Sequence, residues 1–404
     1  MKAHSPNYIA FDLGSNKIAA LAAHIGKQGD TSIIAQIVQQ SMGIRSGVIT
    51  DMALAENSIV SAVYALEKYC DKSIKEISIS LSGHGVKSYY VTNAIKLSAQ
   101  PISESDVKKL ISKALSDFKI KNMEVIHYFP IEYKIDNDQS ISNPIGLTAR
   151  ELFCQLHIIA ADSTMVTNLT RCLAKCHLEV NEIYISAYSA GMATLTDDEK
   201  ELGTILIDLG ANTSSYGIFL NGKMIYTNYV SVGGHDITVE IAKSLSVTMK
   251  EAEKIKVLYG ITDPSLLTKD SIIKLENGEH TITASWLAQL IYPQIKFILE
   301  SIKKQCDSLN IDHMLAKKVV ITGGGSSLAN IKSMAAEIFH KQVRVAKPNL
   351  IPGLIETANP SSLSTVVGIV LARALKMRTK SDKYEQLENV GLLKKVGWWI
   401  RDNI

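Results

Sequence analysis

The chain reads as an α/β protein of two similar halves, with a small α+β unit inserted in the first. Three observations predict this. Residues 9–17 (Ile-Ala-Phe-Asp-Leu-Gly-Ser-Asn-Lys) and residues 205–213 (Ile-Leu-Ile-Asp-Leu-Gly-Ala-Asn-Thr) are near copies. Each is an apolar run closed by Asp-Leu-Gly and followed by a second apolar segment, at 18–25 and 216–220. That pattern is a strand, a tight glycine turn and a returning strand. The third observation is a buried-type strand at 318–322 that runs into Gly323, Gly324, Gly325 and Ser326, with a helix read over 329–339. Strand, glycine run and helix start together favour an anion or a nucleotide.

The two turns suit a phosphate. Glycine lets backbone approach closely, and turn N–H groups can cradle an anion. Asp12 and Asp208, at the strand ends, can hold Mg²⁺ directly or through water. Two such hairpins, one per half, could grip one nucleotide from both sides.

At 404 residues the chain has room for two domains with separate cores. Apolar content of 46% and charge of 21% describe a soluble globular protein. A net charge of +3 is too small to argue for nucleic acid. Cys70, Cys154, Cys172, Cys176 and Cys306 read as reduced structural residues of a cytosolic protein, since Cys172 and Cys176 have helix-face spacing rather than that of a metal or redox pair. The N-terminus lacks a signal-peptide core, and no charge-free apolar run approaches the ~20 residues of a membrane span.

Along the chain, strands at 8–25 and 33–39 precede a turn-rich link at 43–51. A helix over 54–69 is expected to bury Leu54, Val63, Leu66 and Tyr69. A strand at 77–81 ends at Ser82-Gly-His84-Gly, where His84 reads as structural. The inserted unit follows: a strand at 86–92, a helix begun by Ser103-Glu-Ser-Asp106, and strands at 125–135 and 152–159 around a loop at 137–150. The helix start resembles a capping box with Asp for Glu, and Val107, Leu110, Ile111, Ala114, Leu115 and Phe118 form its apolar stripe. Helices are expected at 166–173, at 183–195 with small residues for a close crossing, at 237–259, and at 285–309 with a kink at Pro293. A closing helix at 366–375 carries Gly368 at another close crossing.

From Met377 the sequence is polar as far as Asn389, a linker. In residues 390–404, Leu392, Leu393, Val396, Trp399, Ile400 and Ile404 share one side of a helical wheel, while Lys394, Lys395 and Arg401 lie opposite. Trp398 sits on the polar side, where an indole suits a membrane interface. A cationic, Trp-bearing amphipathic helix on a tether reads as a surface membrane anchor.

Two phosphate hairpins and a Gly-Gly-Gly loop, in that order, resemble the actin/Hsp70/sugar-kinase superfamily. Further stretches resemble the FtsA family of actin-like bacterial cell-division proteins. These are Gly47-Val48 with Asp51, Leu81-Ser-Gly83, Ser186-Ala-Tyr188, Thr196-Asp-Asp-Glu-Lys-Glu-Leu-Gly203, Glu253-Lys-Ile-Lys256 and the tethered C-terminal segment. The resemblance spans essentially the whole chain. It implies an actin/Hsp70-like (ribonuclease H-like) two-domain ATPase fold. Residues 1–84, 163–202 and 363–378 would form the first core, and 85–162 the inserted subdomain. Residues 203–238 and 313–362 would form the second core, 239–312 an FtsZ-binding subdomain, 379–389 the linker and 390–404 the membrane helix.

The same resemblance implies ATP with Mg²⁺ as ligand. Asp12, Gly14, Ser15, Asn16 and Lys17 would make the first phosphate loop, and Asp208, Gly210, Ala211, Asn212 and Thr213 the second. Gly323, Gly324, Gly325 and Ser326 would lie under the adenosine, and Glu253 and Lys256 would reach its ribose and base. Asp12 and Asp208 are the candidate catalytic and Mg²⁺-shell groups. Members polymerise, bind the C-terminal peptide of FtsZ, and tether its filaments to the cytoplasmic face of the inner membrane at the division site. Other division proteins would meet the inserted subdomain. Lys296 and Lys303, two turns apart on one helix, are the candidate cations for the acidic FtsZ peptide.

Three features depart from the family pattern. Ala211 and Asn212 replace glycines of the second loop; Asn tolerates the left-handed region, so the turn is expected to survive. The helix from Ser186 offers no Gln or Glu to position a water, so the chain is at most a weak ATPase. Gln294 stands where relatives commonly carry a basic residue. The alternatives within this fold are a PilM-like pilus-assembly protein, against which the Trp-bearing tail argues, and a small-molecule kinase, for which the cleft lacks a further carboxylate base.

Overall fold

The computed structural model describes residues 6–136, 139–263, 271–275, 281–311, 314–315 and 318–384. The segment 390–404, with Leu392, Leu393, Val396, Trp398, Trp399, Ile400 and Ile404, lies outside the described residues.

Strands β1 (Tyr8–Leu13), β2 (Lys17–Ile25) and β3 (Thr31–Gln40) form an antiparallel meander. A small hairpin, β4 (Ile44–Arg45) and β5 (Val48–Ile49), leads into α1 (Met52–Cys70) and β6 (Glu76–Leu81). The insert comprises β7 (Lys87–Lys96), α2 (Glu104–Asp117), β8 (Met123–Ile135), β9 (Gln139–Ile141) and β10 (Glu151–Asp162). The chain returns through α3 (Ser163–Lys175) to β11 (Glu179–Ile185), and crosses over by α4 (Ser186–Thr194) and α5 (Asp197–Leu202). The second half starts with β12 (Thr204–Leu209), β13 (Ser214–Leu220) and β14 (Lys223–Val230). Helices α6 (Gly234–Leu245) and α7 (Met249–Tyr259), strands β15 (Ile272–Lys274) and β16 (Thr281–Thr283) and helix α8 (Ala284–Asp307) follow. The described chain closes with β17 (Lys318–Thr322), α9 (Ile331–Phe339), β18 (Gln342–Val345) and α10 (Ser364–Tyr384).

The duplication read in the sequence is a duplication of topology. Among the described residues one five-stranded sheet has the order β11-β6-β1-β2-β3 and the other β14-β13-β12-β17-β18. In each, the Asp-bearing strand is central. It pairs antiparallel with the next strand of its meander and parallel with a later strand, β6 or β17. Both central strands are covered on both faces, which explains their nearly unbroken apolar runs. Each Asp sits at the strand end where connectivity changes sense, the position at which open α/β sheets form a ligand crevice.

Two helices, the small-residue α4 and α10 with its Gly368, cross between the halves. Ala187, Ala190 and Ala193 of α4 are fully buried. A Cβ on Gly368 of α10 would lie 1.7 Å from the Ser189 carbonyl oxygen of α4. The backbones therefore meet with no room for a methyl group. Helix α10 is also seated by Glu182 of β11, which is buried among the Tyr8 and Tyr184 hydroxyls, Arg373 and Lys376.

Two polar clusters brace the halves. Glu199 caps α5 from within its capping box with Thr196. It also receives Arg344 of β18, at 2.7 and 2.5 Å, and Lys318 of β17, at 2.7 Å. Burial works against the Glu199 charge, but these donors prevail and hold its carboxyl down to about 2. Arg344 also donates to the Thr194 carbonyl at 2.7 Å, so the crossover is pinned to the second sheet. The second brace comes from the insert, a β7-β10-β8-β9 sheet backed by α2. It covers the outer edge of β14. Ser88 Oγ donates to Thr227 O (2.9 Å) and accepts from Thr227 N (3.0 Å), and the Tyr90 hydroxyl donates to Ile225 O (2.7 Å). His157 Nδ1 donates to Met224 O at 2.8 Å, since a carbonyl only accepts. Burial lowers His157 to about 4 and keeps the ring neutral. An edge strand that would otherwise recruit another chain is thus capped by side chains.

Several local expectations are corrected. Leu54 (39%) and Tyr69 (69%) of α1 are exposed; the buried side is Ala55, Ser58, Ile59, Ala62, Val63, Leu66 and Cys70. Residues 183–185 belong to β11, because β-branched Ile183 and Ile185 pair with β6 before the helix starts. The loop at 137–150 holds β9. The stretch 237–259 is two helices, broken at Ser246 in the left-handed conformation. The linker expected from Met377 is helical as far as Tyr384, as the run of Lys, Arg and other helix-compatible residues permits. The capping box of α2 forms as read, with Asp106 accepting from Ser103 N at 3.0 Å. All five cysteines are buried and free.

The close crossing is testable. Gly368→Ala must separate α4 from α10 or distort them, and is expected to cost ~1–3 kcal/mol, the usual price of overpacking. A urea midpoint equal to that of the parent contradicts this packing.

Candidate functional site

The ends of β1 and β12 face one cleft of about 310 Å³, within the ~300–1,000 Å³ of small-molecule sites. The two hairpins that build it share one register. Asp12 pairs with Ala19 and Asp208 with Ser215, each seven residues on. In each the glycine is needed for space rather than for positive φ. A Cβ on Gly14 would lie 2.8 Å from Lys17 O, and one on Gly210 2.6 Å from Thr213 O. The second loop closes with a bond from Gly210 N to Thr213 O at 3.0 Å.

Ala211 and Asn212 fit this loop without strain, because neither has positive φ. The left-handed turn anticipated at Asn212 is not used. The glycine pair that the loop does need lies elsewhere, at Gly233 and Gly234 at the start of α6. A Cβ on Gly233 would come within 2.4 Å of Ala211 O. Gly234 N and His235 N donate to Gly210 O and Ala211 O at 2.9 and 2.7 Å. The first turn of α6 therefore holds the outer side of the loop.

The electrostatics of the cleft are unbalanced. Asp12 accepts from Ser80 Oγ at 2.6 Å, and burial still raises its carboxyl. Burial, then the charge of Asp12, push Asp208 up to about 7, against the opposing pull of Thr365 and Lys17. Thr365 Oγ1 donates to Asp208 Oδ2 at 3.2 Å. Gly323, at φ +86°, leaves room for that carboxylate: a Cβ there would sit 2.3 Å from Asp208 Oδ1. Burial lowers Lys17, whose ammonium donates to Ser362 O. Two carboxylates thus share one desolvated space with one ammonium. Among the described residues no group of three or more His, Cys, Asp or Glu forms a metal cage. A cation here would take one or two carboxylates and complete its shell from water and ligand oxygens, the habit of Mg²⁺.

On the far wall, Lys256 Nζ donates to Glu253 Oε2 (2.6 Å), Thr238 Oγ1 (2.7 Å) and Gly234 O (2.8 Å). Glu253 and Lys256 line the cleft as a fixed pair between α6 and α7. Ile237, Val257, Ile295, Ile298 and Leu328 supply an apolar side. The arrangement offers carboxylates and turn N–H groups at one end, and apolar surface with fixed polar groups at the other.

The structure brings together Asp12, Gly14, Ser15, Asn16, Lys17, Asp208, Gly210, Ala211, Asn212, Thr213, Glu253, Lys256, Gly323, Gly324 and Gly325. Ser326 is not among the lining residues; it is buried and donates to Gly323 O at 2.7 Å, closing a 3-10 turn over Gly324–Ser327. The helix expected over 329–339 begins two residues later, as α9 at Ile331. Lys296 and Lys303 lie on α8 outside the cleft, each beside an acid one turn on, Glu300 at 3.9 Å and Asp307 at 2.7 Å. Sequence reading missed Ser80, Gly233, Gly234, His235, Asn359, Ser362 and Thr365. Only Gly233-Gly234 carried a local signal, with His235 next to it in the first turn of α6; Ser80 arrives through sheet pairing, and Asn359, Ser362 and Thr365 arrive with the return of the chain into α10.

Comparison with known proteins agrees with this architecture. The family model described as "Cell division protein FtsA" matches residues 205–368, and that described as "SHS2 domain inserted in FTSA" matches 83–160. The cell division protein FtsA of Rhizobium meliloti (strain 1021) is 25% identical over 413 residues, covering 97% of this chain and 93% of its own. That of Escherichia coli (strain K12) is 26% identical over 373 residues, covering 90% and 89%. Among solved structures, a PilM-PilN type IV pilus biogenesis complex aligns with a TM-score of 0.66 at 13% identity, over 93% of this chain and 99% of that one. MreB5 of Spiroplasma citri bound to ADP aligns with a TM-score of 0.54 at 13% identity, over 94% and 98%. The structural likenesses establish an actin-like fold, with PilM a neighbour in fold only. The two FtsA models and the full-length relatives assign the chain itself: it belongs to the FtsA family of cell-division proteins.

Proposed function

We infer that this chain binds ATP with Mg²⁺ in the cleft between its two sheets, assembles with copies of itself, and links FtsZ filaments to the cytoplasmic membrane at the division site. The observation that carries the nucleotide reading is the pair of Asp-Leu-Gly hairpins in one register, with both carboxylates in one cleft. The glycine-tight turns leave room for phosphate. Asp12 and Asp208 would hold the cation, which when bound supplies the positive charge that the cleft lacks. Glu253, Lys256 and the Gly323–Gly325 stretch would face the nucleoside. A fold neighbour bound to ADP supports this class of ligand.

The cleft lines no side of α4 with a carboxylate or amide that could position a water, so hydrolysis is slow or absent. The kinase alternative needs a further carboxylate base, and the one lining the cleft beyond Asp12 and Asp208, Glu253, is held by Lys256 and Thr238. FtsZ binding falls to residues 239–312, where Phe297 is exposed on α8 with its lysines. The insert, whose inner side is committed to β14, offers its remaining surface to other division proteins. The membrane contact falls to residues 390–404; among the described residues no helix is long and apolar enough to cross a membrane.

Three measurements test these assignments. Asp208→Ala is expected to weaken Mg-ATP binding strongly in calorimetry, and unchanged affinity refutes the cation site. Trp399→Glu places a charge in the apolar stripe, so the variant should stay folded yet no longer float with anionic vesicles; flotation equal to the parent's removes the tail as anchor. Reversing Lys296 and Lys303 together to Glu should weaken binding of an FtsZ C-terminal peptide, most at low salt. An anisotropy titration that does not move at low ionic strength places the peptide site elsewhere.

A further inference from the structure

Asn359 was not singled out by the sequence, and none of the roles assigned above uses it. It lines the cleft just before a 3-10 turn, Pro360–Leu363, that leads into α10. Its backbone carbonyl accepts from Ser362 Oγ at 2.7 Å, which fixes the local turn. Its side-chain Nδ2 donates to Gly324 O at 3.0 Å, joining the segment before α10 to the glycine run after β17. Its Oδ1 is buried and has no hydrogen-bond partner among the described residues.

The orientation of this amide follows from its neighbour. Gly324 O is an acceptor only, so the nitrogen must face it and the oxygen must face away. A flipped amide would set two acceptors against each other. Native structures leave few buried polar atoms unsatisfied, and each needs an account. An oxygen of this kind, on a residue that lines a ligand cleft, is an acceptor waiting for a donor.

The chemistry of the nucleotide says which end can supply one. This step rests on the nucleotide reading above. Ionised phosphates and the carboxylates of Asp12 and Asp208 present acceptors and would repel Oδ1. The donors of ATP are its exocyclic amine and its ribose hydroxyls, all on the nucleoside half. Gly324, which holds the amide, belongs to the stretch assigned to that half. We propose that Asn359 is a specificity-determining residue, whose Oδ1 accepts a hydrogen bond from an N–H or O–H donor of the bound nucleoside. A site built around such a bond rejects an analogue lacking the donor, because the buried acceptor is then left unpaired.

The test compares Mg-ATP with three analogues on the full chain: 2′-deoxy-ATP, 3′-deoxy-ATP and purine riboside triphosphate, which lacks the exocyclic amine. The parent is expected to bind one of them about tenfold more weakly than ATP, the usual scale for an unpaired buried acceptor. The analogue that loses affinity names the donor. In Asn359→Ala the same ratio should fall to about one, because no acceptor remains. Asn359→Asp keeps an acceptor and should retain the discrimination, although its overall affinity drops as the second oxygen meets Gly324 O. Each ratio is taken within one protein, so partial loss of folded material cancels. The proposal is overturned if the parent binds all four nucleotides alike, if Asn359→Ala keeps the parent's ratio, or if Asn359→Asp loses it as Ala does. If the parent binds no nucleotide at all, the cleft assignment itself falls, and this inference with it.

Discussion

The burial of two carboxylates beside a single ammonium is the constraint on which the cleft depends. Asp12 and Asp208 come from the centres of two different sheets and are brought into one desolvated space. Burial alone raises both, and the charge of Asp12 raises Asp208 further, up to about 7. The protein offsets this only in part, through Ser80, Thr365 and Lys17. Such a site is poor in stability and rich in binding potential, because any cation that enters relieves the repulsion of both acids. The surrounding glycines serve the same end: Gly323 gives the Asp208 carboxylate its place, and Gly14 and Gly210 keep the loops tight beneath it.

For that space to be one site, two halves of the chain must hold a fixed relation. The α4–α10 crossing at Ser189 and Gly368 provides the close backbone contact. The Glu199–Arg344–Lys318 cluster pins the crossover to the second sheet, and Ser88, Tyr90 and His157 pin the insert to β14. The last brace has a structural continuation. From β14 the chain runs through Val232, whose carbonyl accepts from Ser214 Oγ, to Gly233 and Gly234. There the first turn of α6 bonds the carbonyls of the second loop. The insert and the second hairpin are thus joined by consecutive hydrogen-bonded elements.

The halves, the insert and most of the cleft were legible in the sequence because their signals are local. An apolar strand ending in Asp-Leu-Gly is visible wherever it occurs, and its repetition exposes the duplicated sheets. The capping box at Ser103 and Asp106 and the small residues of α4 are equally local. What escaped depends on contacts between distant segments. Ser80 reaches Asp12 because β6 lies beside β1, and Thr365 reaches Asp208 because α10 returns across the molecule. Asn359 acquires meaning only from the Gly324 carbonyl opposite it. The departure at Ala211 and Asn212 has the same origin: the glycines that accommodate the loop are Gly233 and Gly234, on a different element. Leu54 and Tyr69 were placed inside because a helix stripe shows amphipathicity without showing how far the neighbouring sheet extends.

The central claim is that two hairpins make one cation-dependent nucleotide site. It is tested most directly by counting protons during binding of Mg-ATP at pH 7, using calorimetry in buffers of different ionisation enthalpy. A carboxyl raised to about 7 is part protonated there and must ionise to face a cation. The account predicts release of a fraction of a proton per site, growing as pH falls below 7 and abolished in Asp208→Asn. Binding of Mg-ATP with no proton release in the parent, or with the same release in Asp208→Asn, would contradict it.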